Sequence, residues 1–185
     1  MKKCLLLFCL FSVSITESIP MKKILILGGP GSGKTFLASK LSAKLGIPIY
    51  NLDTYYYKPN WQPVDRADFI AAQRMLLEKP EFIIDGNCVR VLFEALPQVD
   101  TMIFLDMPLY LRVCRVLWRD LFTRSGKLPE GCTFSWWQFW SFLRKNVIGF
   151  NKRKEILEII AQYSNVKFVH IRSAQELQEF MAKYC

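Results

Sequence analysis

The glycine-rich segment at residues 28–35 constrains the fold of this chain more than any other feature. Its residues are Gly28, Gly29, Pro30, Gly31, Ser32, Gly33, Lys34 and Thr35. It follows an apolar run at residues 23–27 and precedes a stretch that is predicted to be helical to residue 45. A strand, a glycine loop and a helix N-terminus in that order direct backbone N–H groups and the helix dipole at one place, where they bind phosphate. The sequence therefore predicts a phosphate-binding loop in an α/β domain.

The last two residues of this loop indicate how a nucleotide is held. We expect Lys34 to reach the β- and γ-phosphates of ATP or GTP, because that is the role of lysine at this spacing. Thr35 is expected to place its hydroxyl on Mg²⁺. The predicted cofactors are therefore ATP and Mg²⁺, with all eight loop residues in the nucleotide site.

Five short apolar runs alternate with helical stretches and predict a parallel α/β sheet. The runs are residues 23–27, 47–52, 81–84, 101–105 and 166–171. Stop and start signals place the helix boundaries, with one helix ending at Gly46 and others beginning at Asp65, Pro108 and Ser173. The segment 123–160 shows no strand alternation, and we expect it to be a helical insertion over the site.

Composition favours one domain without a zinc or disulfide framework. Hydrophobic residues make up 51% of the 185 residues and charged residues 22%, which is ordinary for a compact soluble protein. The six cysteines form no C-x-x-C pair, and His170 has no neighbouring cysteine that would complete a metal site. We therefore expect reduced, structural thiols.

The first 20 residues have two interpretations. Lys2 and Lys3 precede an apolar run at residues 4–15 that is too short to span a bilayer but is typical of a secretory signal. Cleavage after Ser18 would then export the protein. We prefer a start assigned too early, with the domain at residues 21–185, because Met21 leads directly into a strand and ATP is plentiful in cytosol. The expected location is cytoplasmic.

Positive charge is concentrated in one segment. The chain has a net charge of +9, and residues 112–154 contain ten basic residues against Asp120 and Glu130. Such a field suggests a polyanionic ligand, either nucleotide phosphates or a nucleic-acid backbone. Nucleic acid is possible but not favoured, because no helix-turn-helix or other DNA-reading element is recognisable.

Two aspartates follow predicted strands and are candidate site residues. Asp85 comes after an apolar run and is expected to hold Mg²⁺ or its water beside the loop, although Asp85-Gly86 is also good turn chemistry. Asp53 is expected to hold or deprotonate the hydroxyl of a phosphate acceptor. The alternative for Asp53 is a helix cap.

Arginines after Pro108 are candidates for charge stabilisation. Arg112, Arg115 and Arg119 share one helical face by their spacing, and the apolar residues Val113, Val116 and Leu117 are expected on another face. We expect Arg115 and Arg119 to bind the transferring phosphoryl group. Surface salt bridges are the alternative, and Arg124 is a weaker third candidate.

Aromatic residues are dense in the same region. At helical spacing they favour buried packing over base stacking. Trp61, in a separate loop, is a candidate contact for an acceptor ring. The dense group consists of Phe134, Trp136, Trp137, Phe139, Trp140 and Phe142.

Three motifs together resemble the adenylate-kinase-like P-loop group and, more narrowly, the DNA topology modulation protein family. They are GGPGSGKT, IIDGN at residues 83–87 and FLDMP at 104–108 with spaced arginines after it. Leu52-Asp53, the segment 58–61 and residues 130–132 add to the likeness, which covers the chain from Lys22 onward. The chain departs from the pattern at Cys88 and after Cys132.

The resemblance implies a five-stranded parallel sheet flanked by helices, an ATP site at residues 28–35, Asp85 near magnesium and a lid at about 119–154. It implies a kinase that moves the γ-phosphoryl group of ATP to a small acceptor, a nucleotide or nucleoside. The alternative is an ATP-dependent, DNA-associated regulator that influences DNA topology.

Overall fold

The computed structural model describes residues 21–58, 62–86, 92–119 and 136–185. The leader-like segment at 1–20 lies outside these residues, as do Trp61 and Arg124. Within the described ranges, no helix has both the length and the apolar character needed to cross a membrane.

Five parallel strands form the main sheet, as predicted. In chain order they are β1 Lys23–Gly28, β2 Ile49–Asn51, β5 Phe82–Gly86, β6 Thr101–Leu105 and β7 Lys167–Ile171. Their order across the sheet is β2-β5-β1-β6-β7, so β1 is central and pairs with β5 and β6. Two further strands, β3 Tyr57–Lys58 and β4 Gln62–Pro63, form a separate antiparallel hairpin.

Helices cover both faces of the sheet. Those within the described ranges are α1 Lys34–Leu45, α2 Leu52–Tyr56, α3 Arg66–Leu77, α4 Leu92–Ala95, α5 Leu109–Trp118, α6 Trp136–Phe142, α7 Arg153–Ile160 and α8 Ala174–Tyr184. A π-helical segment, Leu143–Ile148, continues directly from α6.

The helix boundaries confirm the capping signals in the sequence. Helix α1 ends at Gly46, which has a left-handed backbone and whose N–H donates to the carbonyl of Ser42. The carboxylate of Asp65 accepts from the N–H of Ala67 at 2.9 Å, and α3 begins at the next residue, Arg66. The hydroxyl of Ser173 accepts from the N–H of Glu176 at 3.1 Å, and α8 begins at the residue after Ser173, Ala174.

Apolar residues bury the sheet on both faces. Along β1, Ile24 and Ile26 belong to one core cluster and Leu25 and Leu27 to the other. A parallel strand that is covered on both faces is a continuous hydrophobic run, which explains the pattern in the sequence. A third cluster joins α5 to α6 and the π-helical segment through Val116, Phe139, Leu143 and Val147.

One strand is shorter than expected. The apolar run at 47–52 forms a strand only over Ile49–Asn51, because α2 begins at Leu52. Asn51 starts this helix, since its side-chain oxygen accepts from the N–H of Asp53 at 2.8 Å. This local bond redirects the chain before the apolar run ends.

Candidate active site

The glycine loop lies at the carboxyl end of the central strand. It connects β1 to α1, and the helix begins at Lys34 directly after Gly33. The φ angle of Gly33 is 100°, a left-handed conformation that favours glycine. The N–H groups in the first turn of α1 have no acceptor within the helix, and with the helix dipole they form a site for anions.

Thr35 and Asp85 meet beneath this loop. The Thr35 hydroxyl donates to the carboxylate Oδ2 of Asp85 at 2.6 Å. Asp85 is only 2% exposed, and its other oxygen, Oδ1, has no hydrogen-bond partner. Both Asp85 and Gly86 lie within β5, so the alternative of an Asp-Gly turn is wrong.

These oxygens fit a magnesium ion. Mg²⁺ prefers hard oxygen ligands, takes one or two of them from the protein and fills the rest with water and substrate phosphates. The Thr35 hydroxyl and the unpartnered Oδ1 of Asp85 are such ligands. In the part of the chain that the structure describes, no group of three His, Cys, Asp or Glu residues could hold a metal, so the phosphates would have to complete this site.

Lys34 is held between the loop and two carboxylates. Its ammonium donates to the carbonyl of Gly29 at 3.3 Å. Burial lowers the pKa of Lys34 from its usual value, whereas the charges of Asp85 and Asp53 act in the opposite direction. Lys34 is therefore a desolvated cation close to both predicted acidic site residues.

Asp53 lies in the first turn of α2, after the second strand. The residue as a whole is exposed, yet burial of its carboxyl group raises its pKa, with Asp85 adding to the rise and Lys34 opposing it. The exposed fraction refers to the whole residue, whereas the pKa depends on the surroundings of the carboxyl group alone. Asn51 makes the capping bond, so the helix-cap alternative for Asp53 has no support.

Arginines of α5 contact the carbonyl side of the loop. The guanidinium of Arg115 donates to the carbonyl of Ser32 at 3.1 Å and approaches that of Gly31 at 3.5 Å. The guanidinium of Arg112 donates to the carbonyl of Pro30 at 3.2 Å. Three successive loop carbonyls therefore face arginines.

Arg112 was not among the arginines expected to contact the transferring phosphoryl group. The prediction that Arg112 lies on a different helical face from the apolar residues is wrong, because Arg112 and Val116 are the two buried residues of α5. The one sequence feature that could have indicated a role for Arg112 is the scarcity of acidic residues near it, since these would otherwise pair with it at the surface. Arg119 is exposed at the C-terminal end of α5, and its charge lowers the pKa of Lys34.

A polar pocket of about 360 Å³ lies beside Arg112 at the carboxyl ends of β6 and β7. Asp106 anchors one wall, since its Oδ2 lies 3.1 Å from both Nε of Arg153 and Nε2 of His170. The main lining residues are Asp106, Leu109, Arg112, Phe150, Arg153 and Arg172.

The aromatic residues divide between packing and exposure. Phe139 is buried in the third core cluster, which agrees with the predicted packing. For Trp137 and Trp140 that prediction is wrong, because they are 83% and 57% exposed. Phe134 and residues 120–135 of the predicted lid lie outside the described residues.

Comparisons with known proteins support the fold. No family model and no curated protein matches the chain. A shikimate kinase from Acinetobacter baumannii in complex with shikimate matches with a TM-score of 0.53 and 16% identity over 88% of this chain and 90% of that chain. A gluconokinase from Sinorhizobium meliloti matches with a TM-score of 0.48 and 17% identity, over 89% of each chain. The fold is therefore that of P-loop kinases, and the likeness to the DNA topology modulation protein family gains no support.

Proposed function

We propose that this chain is a kinase that transfers the γ-phosphoryl group of ATP to a hydroxyl of a small acceptor. The observation that carries the proposal is the contact between Thr35 and Asp85 beneath a complete phosphate-binding loop. It brings a hydroxyl and a carboxylate with a free oxygen to the place where Mg²⁺ meets phosphates in such loops.

Each part of the site has a role in this proposal. The backbone N–H groups of the loop at residues 28–35, apart from Pro30, which has none, hold the phosphates. Lys34 neutralises charge on the β- and γ-phosphates. Thr35 and Asp85 hold Mg²⁺, which supplies charge stabilisation to the transferring group. Phosphoryl transfer needs little covalent chemistry from the protein, so positioning and electrostatics supply the rate.

The arginines have two roles in the proposal. Arg115 lies at the loop through its bond to the Ser32 carbonyl, and in this proposal it turns from that carbonyl to a phosphoryl oxygen when the nucleotide binds. Arg119 adds positive charge that already acts on Lys34. Positioned arginines of this kind stabilise the charge of the transferring group.

Asp53 is the proposed contact for the acceptor. Its carboxyl group has a raised pKa, which brings it closer to the range where a carboxylate works as a general base. We propose a nucleotide or nucleoside as acceptor, in agreement with the adenylate-kinase-like motifs. Shikimate, named in one matched structure, and gluconate represent other small hydroxyl compounds to be tested.

A DNA-associated regulator is less well supported. Arg112 and Arg115, two of the cations assigned to that role, face the loop carbonyls. Lys152, Arg153 and Lys154 pair with acidic side chains. The positive field that remains for a duplex is therefore smaller than the sequence suggests. A cytosolic location follows from the proposed use of ATP.

The decisive experiment measures ATP consumption by the full-length chain with Mg²⁺. Nucleotides, nucleosides, shikimate, gluconate and sugars serve as candidate acceptors, and Lys34→Ala serves as the control. Turnover that depends on an acceptor and disappears in the variant would establish the kinase. ATP binding without any acceptor dependence, together with salt-sensitive DNA binding, would favour the regulator instead.

A further inference from the structure

Arg112 connects three parts of the molecule through one buried guanidinium. Its Nε donates to the carbonyl of Pro30 in the loop at 3.2 Å, and its Nη2 donates to the carbonyl of Val147 in the π-helical segment at 2.7 Å. The guanidinium also lies 5.1 Å from the centre of the Phe150 ring. Only 6% of the residue is exposed.

This buried cation has no counter-ion in the described part of the chain. Its hydrogen-bond acceptors are neutral carbonyls, and no acidic side chain among the described residues lies within 4.0 Å of it. Asp106 is the nearest acidic influence, but it pairs with Arg153 and His170. Arginine remains charged at any physiological pH, so a charge without a direct ion-pair partner among the described residues stays buried here.

The guanidinium lies directly behind the loop backbone. A Cβ atom at Gly29 would collide with it, so the glycine permits this approach. Because Arg112 is only 6% exposed, its charge acts more strongly on a ligand than a surface charge does. Arg112 also lines the polar pocket beside the loop.

We propose that Arg112 is a positioning residue for the bound nucleotide and the fixed counter-charge of its polyphosphate. Arg112 acts through the loop. Its hydrogen bond to the Pro30 carbonyl fixes the orientation of the loop backbone, and its positive charge attracts the polyphosphate bound to the N–H groups on the other side of the loop. The triphosphate supplies the negative charge that the described residues do not place against this guanidinium. This inference rests on the proposed function, since it requires that residues 28–35 bind a nucleoside triphosphate.

The test separates the charge of Arg112 from its hydrogen bonds. Arg112→Lys keeps the charge and loses the planar fork, whereas Arg112→Gln removes the charge and keeps two N–H donors. Arg112→Met, whose apolar stem fills similar space, is a second charge-free variant in case the glutamine variant does not fold. Arg74→Gln removes an exposed arginine that pairs with Glu94 and serves as the matched control.

Affinities of the full-length proteins for inorganic tripolyphosphate, ATP and adenosine are measured by calorimetry at low and moderate salt. We expect the charge-free variants to bind tripolyphosphate on the order of tenfold more weakly than the wild type. The lysine variant should stay within about threefold, because the charge is retained. Adenosine affinity should not change, and the salt dependence of tripolyphosphate binding should be shallower without the charge.

Three results would overturn the inference. Equal tripolyphosphate affinity in the wild type and the charge-free variants would exclude a counter-charge role while leaving the proposed kinase intact. Equal losses in the lysine and glutamine variants would assign Arg112 a structural role through its hydrogen bonds. A wild type that binds neither tripolyphosphate nor ATP would overturn both the inference and the proposed function.

Discussion

The hydroxyl of Thr35 and the carboxylate of Asp85 are 2.6 Å apart although 50 positions separate them in the chain. The contact exists because Asp85 lies on β5, directly beside the central strand, where it pairs in register with Ile26. Thr35 reaches it from the first turn of α1. Strand pairing therefore aligns the two groups without help from the predicted lid.

Removing the Thr35 hydroxyl should impair magnesium-dependent turnover. We expect Thr35→Val to lower kcat on the order of a hundredfold, because a positioned oxygen ligand is lost, whereas Thr35→Ser keeps most activity. Titration of Mg²⁺ in an ATP-consumption assay measures the effect. Ser39→Ala, on the exposed side of α1, is the control. Equal activity in the valine variant and the wild type would contradict the assignment.

Replacing Lys34 should remove turnover and yet stabilise the ligand-free protein. Burial lowers the pKa of Lys34, so its charged form is disfavoured by folding. The charge therefore costs stability at neutral pH, and the cost disappears as the pH rises past the usual value of 10.5. Lys34→Met should raise the unfolding temperature at pH 7 and lose this advantage as the pH rises to 10.5 and above. A methionine variant that unfolds earlier than the wild type at pH 7 would disprove the argument.

The raised pKa of Asp53 gives two measurable effects. Turnover by the wild type should fall as the pH drops through this pKa, and Asp53→Asn should be about a hundredfold or more slower, without that dependence. The raised value also means that folding favours the protonated carboxyl group. The stability of the wild type relative to the asparagine variant should therefore decrease as the pH rises from the usual value of 3.8 through the raised pKa.

Steady-state rates and thermal unfolding between about pH 3.5 and 7.5 would check both effects of Asp53. An asparagine variant with wild-type turnover would remove Asp53 from the acceptor site. A stability difference that does not change across this range would show that the carboxyl group is not desolvated by folding.

At the amino ends of the strands, opposite the glycine loop, Asp100 should contribute to stability without affecting catalysis. Its Oδ2 accepts from the N–H groups of Lys22 and Lys23, both at 2.8 Å, at the start of the central strand. Asp100→Ala leaves these donors without their acceptor and should lower the free energy of unfolding by about 1–3 kcal/mol. Denaturant unfolding measures it, and Glu81→Ala, which breaks an exposed ion pair with Lys22, should cost less than about 1 kcal/mol. Equal costs for the two variants would refute the prediction.

Much of the fold was predictable because its signals are local. Gly46 ends a helix through its own left-handed conformation, and Asp65 and Ser173 begin helices through bonds to nearby N–H groups. The short α2 was missed because Leu52 continues an apolar run that predicts a strand. The sequence contains no signal that distinguishes the π-helical segment from an ordinary helix. Its buried residues Leu143 and Val147 are four positions apart, which is also a spacing of the buried face of an α-helix.

The site was predictable where spacing alone defines a role. Lys34 and Thr35 follow from the loop pattern, and Asp85 from its place at the end of an apolar run. Arg112 was missed because helical periodicity assigns an arginine to the solvent side. Its burial depends on carbonyls of Pro30 and Val147, which lie 82 and 35 positions away and have no sequence signature.

The central strand is also the first strand of the main sheet in chain order. β1 ends at Gly28, but its two partners are completed only at Gly86 and Leu105. At a synthesis rate of about 5–20 residues per second, this apolar strand waits several seconds for its neighbours. During translation the chain therefore exposes an unpaired hydrophobic strand directly before the glycine loop, and this strand offers chaperones that act on nascent chains a place to bind.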